Sequence, residues 1–155
     1  RNQPIGTVIE TCPGAAATIA GMAQRIDVQG GAALFIDYGY LEPQTGETLQ
    51  AVRRHEKVGP FEAPGDMDLT ALVDFATLAK VAARQGLAVA TATQGSWLSA
   101  MGIGLRAQAL SDKSPTHAKA ISDAHDRLVA EGHMGELFKV MAITPRTAPR
   151  GAGFG

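Results

Sequence analysis

The chain has 155 residues, 45% hydrophobic and 19% charged, which is the size and composition of one packed domain rather than of a disordered chain. Its 14 basic and 15 acidic residues leave a formal net charge of −1, so there is no electrostatic footprint for nucleic acid or an anionic membrane. The lone Cys12 excludes an intramolecular disulfide framework and a Cys-rich zinc site, and no apolar run reaches the roughly 18 residues of a membrane helix.

Residues 6–10 (GTVIE) read as a short strand because β-branched residues dominate. Pro13 suits a helix first turn, and the Ala-rich stretch 15–25 predicts the helix itself. After Gly30-Gly31, the unbroken apolar run 32–36 (AALFI) leads into Asp37-Tyr38-Gly39-Tyr40. Continuous rather than alternating hydrophobicity predicts a strand buried on both faces of a parallel sheet. Residues 41–67 form a long excursion rich in Pro, Gly and charge, read as a surface loop holding a short hairpin.

Leu72, Phe75, Ala79 and Ala82 recur at spacings of three and four, predicting a helix over 66–85 with Asp68 or Thr70 as its cap and Gly86 as its stop. A strand over 87–93 follows, then a helix over 96–110 around Trp97, Leu98, Met101 and Ile103. Ser114-Pro115 starts another helix, with Ala118, Ile121, His125 and Leu128 on one side and Gly132 at its end. Residues 137–144 (LFKVMAIT) predict a final strand, and 146–155 a flexible tail rich in Gly, Pro and Arg. Strands alternating with helices predict an α/β fold, its sheet mostly parallel and its helices on both faces.

Ligands of open α/β sheets bind beyond the carboxyl ends of the strands. Three strand ends are polar: Glu10-Thr11-Cys12, Asp37-Tyr38-Gly39-Tyr40 and Thr93-Gln94-Gly95. A carboxylate directly after a buried run, as at Asp37, either caps nearby backbone at the sheet rim or faces a ligand. Gly39 beside it permits close backbone approach. Gln94 either presents its amide to a ligand or simply starts a helix. Asp66, Asp68, Thr70 and Asp74 stand where acidic groups favour a helix start, and the same acids suit a cationic substrate. Their spacing specifies no metal, and His117, His125 and His133, eight residues apart, make no metal triad. A nucleophile elbow, a Walker loop and an H-E-x-x-H pair are all missing, which argues against an unrelated hydrolase. Cys12 is expected to be a buried structural thiol, and Lys139 to sit at a solvated edge or beside a buried carboxylate.

Five segments in order carry a resemblance: 30–40 (GGAALFIDYGY), 48–55 (TLQAVRRH), 64–75 (PGDMDLTALVDF), 93–98 (TQGSWL) with Gly102-Ile103, and 134–140 (MGELFKV). Together they resemble the MidA family of S-adenosylmethionine-dependent methyltransferases. That family includes a protein arginine methyltransferase of respiratory complex I assembly. The resemblance implies a Rossmann-like methyltransferase sheet and S-adenosylmethionine as cofactor. It also implies a protein substrate, such as a complex I subunit, in the bacterial cytoplasm or the mitochondrial matrix.

By this resemblance Asp37 and Tyr38 line the catalytic cleft, and Asp68, Thr70, Asp74 and Gln94 lie on the substrate side. The family's glycine-rich cofactor loop and ribose-binding acid precede the matching part, so residues 1–145 are expected to be the C-terminal half of the enzyme. The absence of an initial Met fits a fragment, one expected to bind the cofactor poorly by itself. Leu72 stands where the family often carries histidine. The alternative reading is a non-catalytic assembly module that keeps the fold.

Overall fold

The structure is a computed structural model and describes residues 3–155. Helix α1 spans Pro13–Gln29 and strand β1 Ala33–Tyr40. Three short strands follow, β2 (Gln50–Arg53), β3 (Glu56–Val58) and β4 (Asp68–Thr70). Strand β5 (Val73–Asp74) runs directly into α2 (Phe75–Arg84), which is followed by β6 (Ala88–Thr93). Helices α3 (Gln94–Ala100), α4 (Ile103–Lys113), α5 (Ala118–Val129) and α6 (Met134–Leu137) precede the last strand, β7 (Phe138–Thr144).

The main sheet has the order β5-β1-β7-β6. It is mixed, which corrects the mostly parallel expectation: β7 is antiparallel to both β1 and β6, and only the short β1–β5 pairing is parallel. A strand buried between two neighbours carries the same unbroken apolar run in either direction, so hydrophobicity alone could not give its sense. Strands β1 and β6 still point the same way, with β7 reversed between them.

Phe35 of β1 lies opposite Met141 of β7, and Ala33 opposite Ile143. On this face α1 contributes Ile19, Ala23 and Ile26, and α2 contributes Phe75, Leu78 and Ala82, to one apolar core. Burial of such side chains contributes roughly 1.5–3 kcal/mol each. The other face meets the C-terminal segment at Ala142, which lies 3.9 Å from a Cβ built on Gly151. There Phe154 tilts against Trp97 at 6.3 Å between ring centroids, and the indole N–H donates to the Ala152 carbonyl at 3.0 Å. The segment 146–155 thus lies against α3 and the sheet without forming a helix or strand.

Three local expectations need correction, while the hairpin read in the excursion is present. Residues 6–10 form no strand; Val8 accepts one backbone bond, from Gly46 N–H at 3.0 Å, and no strand runs beside it among the described residues. The helix expected over 66–85 begins only at Phe75, because Leu69 pairs with Ala51 of β2 and draws 68–70 into a three-stranded sheet. The hairpin in the excursion is β2–β3, closed by Arg54 and His55 at φ of 52° and 68°. Two successive left-handed residues match the twist of the flanking strands. The helix expected over 96–110 is two helices, broken where Gly102 adopts φ 84°.

Candidate functional site

The carboxyl end of β1 gathers the polar groups. Its last residue, Tyr40, lies beside Asp74 of β5 in the parallel register, and Gly39 beside Val73. That approach depends on a missing side chain: a Cβ on Gly39 would collide with the Val73 carbonyl oxygen and meet the Phe75 ring at 3.0 Å. Gly39 is therefore fixed by packing, in keeping with the close approach read from the sequence.

Glu10 reaches the same end from the segment before α1. Thr48 donates its backbone N–H to Glu10 Oε1 at 2.9 Å and its hydroxyl to Glu10 Oε2. The Thr48 hydroxyl also accepts from Leu72 N–H at 3.1 Å. One threonine thus ties the segment before α1 to the approach to β5. The hydroxyl bond first, and then the backbone N–H, holds the Glu10 carboxyl below its ordinary range. Tyr40 is shifted the opposite way: burial, and then the charges of Asp74 and Glu10, raise its phenol above the ordinary value. Glu10, Tyr40 and Asp74 therefore form an acidic group with one phenol kept protonated. Thr48 carries no chemical signal in the sequence that marks it as a site residue, whereas Glu10 and Tyr40 each stood in a polar strand end.

Asp37 is placed differently from its sequence reading. It lies inside β1, not beyond it, and its side chain is exposed. Its Oδ1 accepts the N–H of Tyr38 at 2.8 Å. Directly across the ladders stand Lys139 of β7 and, beyond it, Thr93 of β6. Residues opposite one another in antiparallel strands share a face, so the three side chains form a row at the carboxyl ends of β1 and β6. Lys139 is only 9% exposed. Neither expectation for it holds: β7 is a central strand, and the Lys139 ammonium donates to the backbone carbonyls of Glu136 and Leu137 rather than to a carboxylate. Tyr38 points to the opposite face and meets Phe138 edge-on, with ring centroids 5.7 Å apart.

The remaining candidates divide. Asp74 caps α2, its Oδ1 accepting Thr77 N–H at 2.9 Å and its Oδ2 the Thr77 hydroxyl at 2.6 Å. The residues expected in that role, Asp68 or Thr70, instead lie on β4 opposite Val52 and Gln50 of β2. Asp68 borders an open cleft of about 420 Å³ with Asp66, Arg53 and Arg54. Gln94 is turned away from solvent: it is 6% exposed, and its amide donates to the Leu128 carbonyl at 2.9 Å, bracing α3 against α5. A buried amide needs such a partner, and here the Gln94 N–H finds it within the fold. Cys12 is exposed rather than buried. Among the described residues no three His, Cys, Asp or Glu side chains are grouped to hold a metal ion.

The polar groups present suit a cation more than a nucleotide-like cofactor. β1, β6 and β7 run on into Leu41-Glu42, Gln94 and Pro145, and none opens into a glycine-rich loop ahead of a helix. These residues alone do not fit the whole of S-adenosylmethionine, whose carboxylate needs N–H donors or a cation.

A family profile described as "Putative S-adenosyl-L-methionine-dependent methyltransferase" matches residues 1–93. The mitochondrial protein arginine methyltransferase NDUFAF7 of Xenopus tropicalis is 34% identical over 153 residues, covering 94% of this chain and 35% of that protein. Its Danio rerio counterpart is 37% identical over 145 residues, covering 92% and 34%. The chain thus spans about a third of the length of the curated relatives it matches. A crystal structure from Burkholderia thailandensis, described as a "likely methyl transferase" bound to S-adenosyl-homocysteine, matches with a TM-score of 0.81 at 28% identity, covering 94% of this chain and 39% of that one.

Proposed function

The chain belongs to this family of S-adenosyl-L-methionine-dependent methyltransferases, and from that premise we propose that it is the C-terminal part of an enzyme that methylates arginine side chains of a protein. Residues 1–145 form its share of a Rossmann-like catalytic domain, and 146–155 a tail that lies against α3 and the sheet. The carrying observation is the acidic end of β1, where Glu10 and Asp74 flank Tyr40.

A guanidinium is always charged and presents planar N–H donors, so carboxylates are its natural partners. Glu10, held ionised by Thr48, is ready to accept those donors. Asp37, exposed on the adjacent stretch of β1, offers a second carboxylate, and Tyr38 lines the other face of the strand. Asp68 and Thr70, on β4, extend the acidic surface toward the substrate protein. The cofactor, when bound, supplies an electrophilic methyl group. The residues of this chain hold and orient the guanidinium and accept hydrogen bonds from its N–H groups. The family's glycine-rich cofactor cradle has no counterpart within residues 1–155.

Relatives named as mitochondrial arginine methyltransferases support a protein substrate. We place the enzyme in the mitochondrial matrix, or the cytoplasm of a bacterium, with a subunit of respiratory complex I as acceptor. No described helix is long and apolar enough to cross a membrane.

The test is methyl transfer by the complete protein from labelled S-adenosylmethionine to acceptor peptides. Label on an arginine peptide and none on its lysine-substituted twin supports the reading. Equal labelling of both, or none of either, contradicts it.

A further inference from the structure

The other end of the sheet order holds a second surface. β6 is an edge strand: it pairs with β7 alone. Among the described residues no backbone hydrogen bond reaches Ala88–Thr93 from the opposite side. Alternate residues of an antiparallel edge therefore turn N–H and C=O groups outward without a strand to receive them. Beside this edge runs a cleft of about 660 Å³, its walls including Ala88, Ala90, Thr91 and Ala148. Small side chains keep the edge open to a second backbone.

Among the described residues, the only charged ones lining the cleft are Arg146 and Arg150. Arg146 is fixed at one end, where its Nε donates to the Gly86 carbonyl at 2.8 Å just before β6 begins. Arg150 is held through Nη1 on the Gly155 carbonyl. Neither is paired with an Asp or Glu side chain among the described residues, where the ion pairs are Lys119 with Asp123 and His125 with Asp126. Two guanidinium groups are thus held beside an open strand edge with no acidic side chain against them.

We propose that this cleft binds an extended acidic segment of a partner protein, which adds to the sheet as a strand beside β6 and sets its carboxylates against Arg146 and Arg150. Main-chain bonds along the edge give affinity, and the two arginines select for acid. The surface lies toward the start of β6, away from the row formed by Asp37, Lys139 and Thr93, so it is independent of the methyl-transfer reading.

The test uses the complete protein and three fluorescent peptides: alternating valine and glutamate, alternating valine and lysine, and the glutamate peptide with alternate backbone nitrogens methylated. The glutamate peptide should bind at least about tenfold tighter than the other two. The double variant Arg146→Glu with Arg150→Glu should reverse the preference toward lysine, with its melting temperature checked alongside. The proposal is overturned if the glutamate peptide fails to bind the unaltered protein, if the three peptides bind alike, or if a folded double variant keeps its preference for glutamate.

Discussion

Glu10 and Thr48 are joined by two hydrogen bonds across 38 positions of sequence, one from the Thr48 backbone N–H at 2.9 Å and one from its hydroxyl. The bond to Leu72 makes Thr48 the link between three separate segments at the end of β1. Replacing Thr48 with Val keeps its size and loses the hydroxyl. It should cost about 1–2 kcal/mol of stability, read as a lower denaturant midpoint with an unchanged slope.

Acid sensitivity follows from the same pair. The Glu10 carboxyl is held below its ordinary value of 4.5 in the folded chain. Its contribution to stability is therefore full above the unfolded value and is lost as pH falls through the folded one. Thermal melts of Glu10→Gln should show a flatter decline below about pH 5 than the unaltered protein.

Tyr40 gives the alkaline counterpart. Burial and the charges of Asp74 and Glu10 raise its phenol above 10.0. The contribution is present below the unfolded value and is lost as pH rises toward and through the folded one. Ultraviolet titration should show one of the two tyrosines, Tyr38 and Tyr40, ionising late. That late step should vanish in Tyr40→Phe and move toward the ordinary value in Asp74→Asn.

Gly39 is set by space, because a side chain there strikes the Val73 carbonyl and the Phe75 ring. Gly39→Ala should cost about 3 kcal/mol or more, visible as a large fall in melting temperature. A neutral outcome would mean that β5 does not lie against β1 as described.

The 155-residue chain alone should bind S-adenosylmethionine weakly or not at all, since its strands open into no glycine-rich loop. Calorimetry on this chain and on a protein of the relatives' full length measures the difference directly. Micromolar binding by the shorter chain would contradict this expectation.

What could be read from sequence was the material of the sheet rather than its wiring. The runs at 32–36 and 137–144 are strands because unbroken Leu, Phe, Ile and Val at that length leave few alternatives. The reversal of β7 was invisible, since Val140 and Met141 are buried whichever way the strand runs. Residues 68–74 copied a helix start, with an acid cap and a Leu72–Phe75 spacing. Only the neighbouring β2 decided that Leu69 would pair as a strand. The sequence left two readings of Gln94 open because its partner, the Leu128 carbonyl, is 34 residues away. Thr48 carried no local signal, as its importance comes from two segments that meet only in the fold.

Asp37→Ala in the complete protein is the most direct test of arginine methylation at the acid-rich end of β1. Asp37 is exposed, and its one hydrogen bond is to the adjacent Tyr38 N–H, so the melting temperature should hardly change. Methyl transfer to an arginine peptide should fall by about a hundredfold. Unchanged turnover in a folded variant would remove Asp37 from the site and contradict the account.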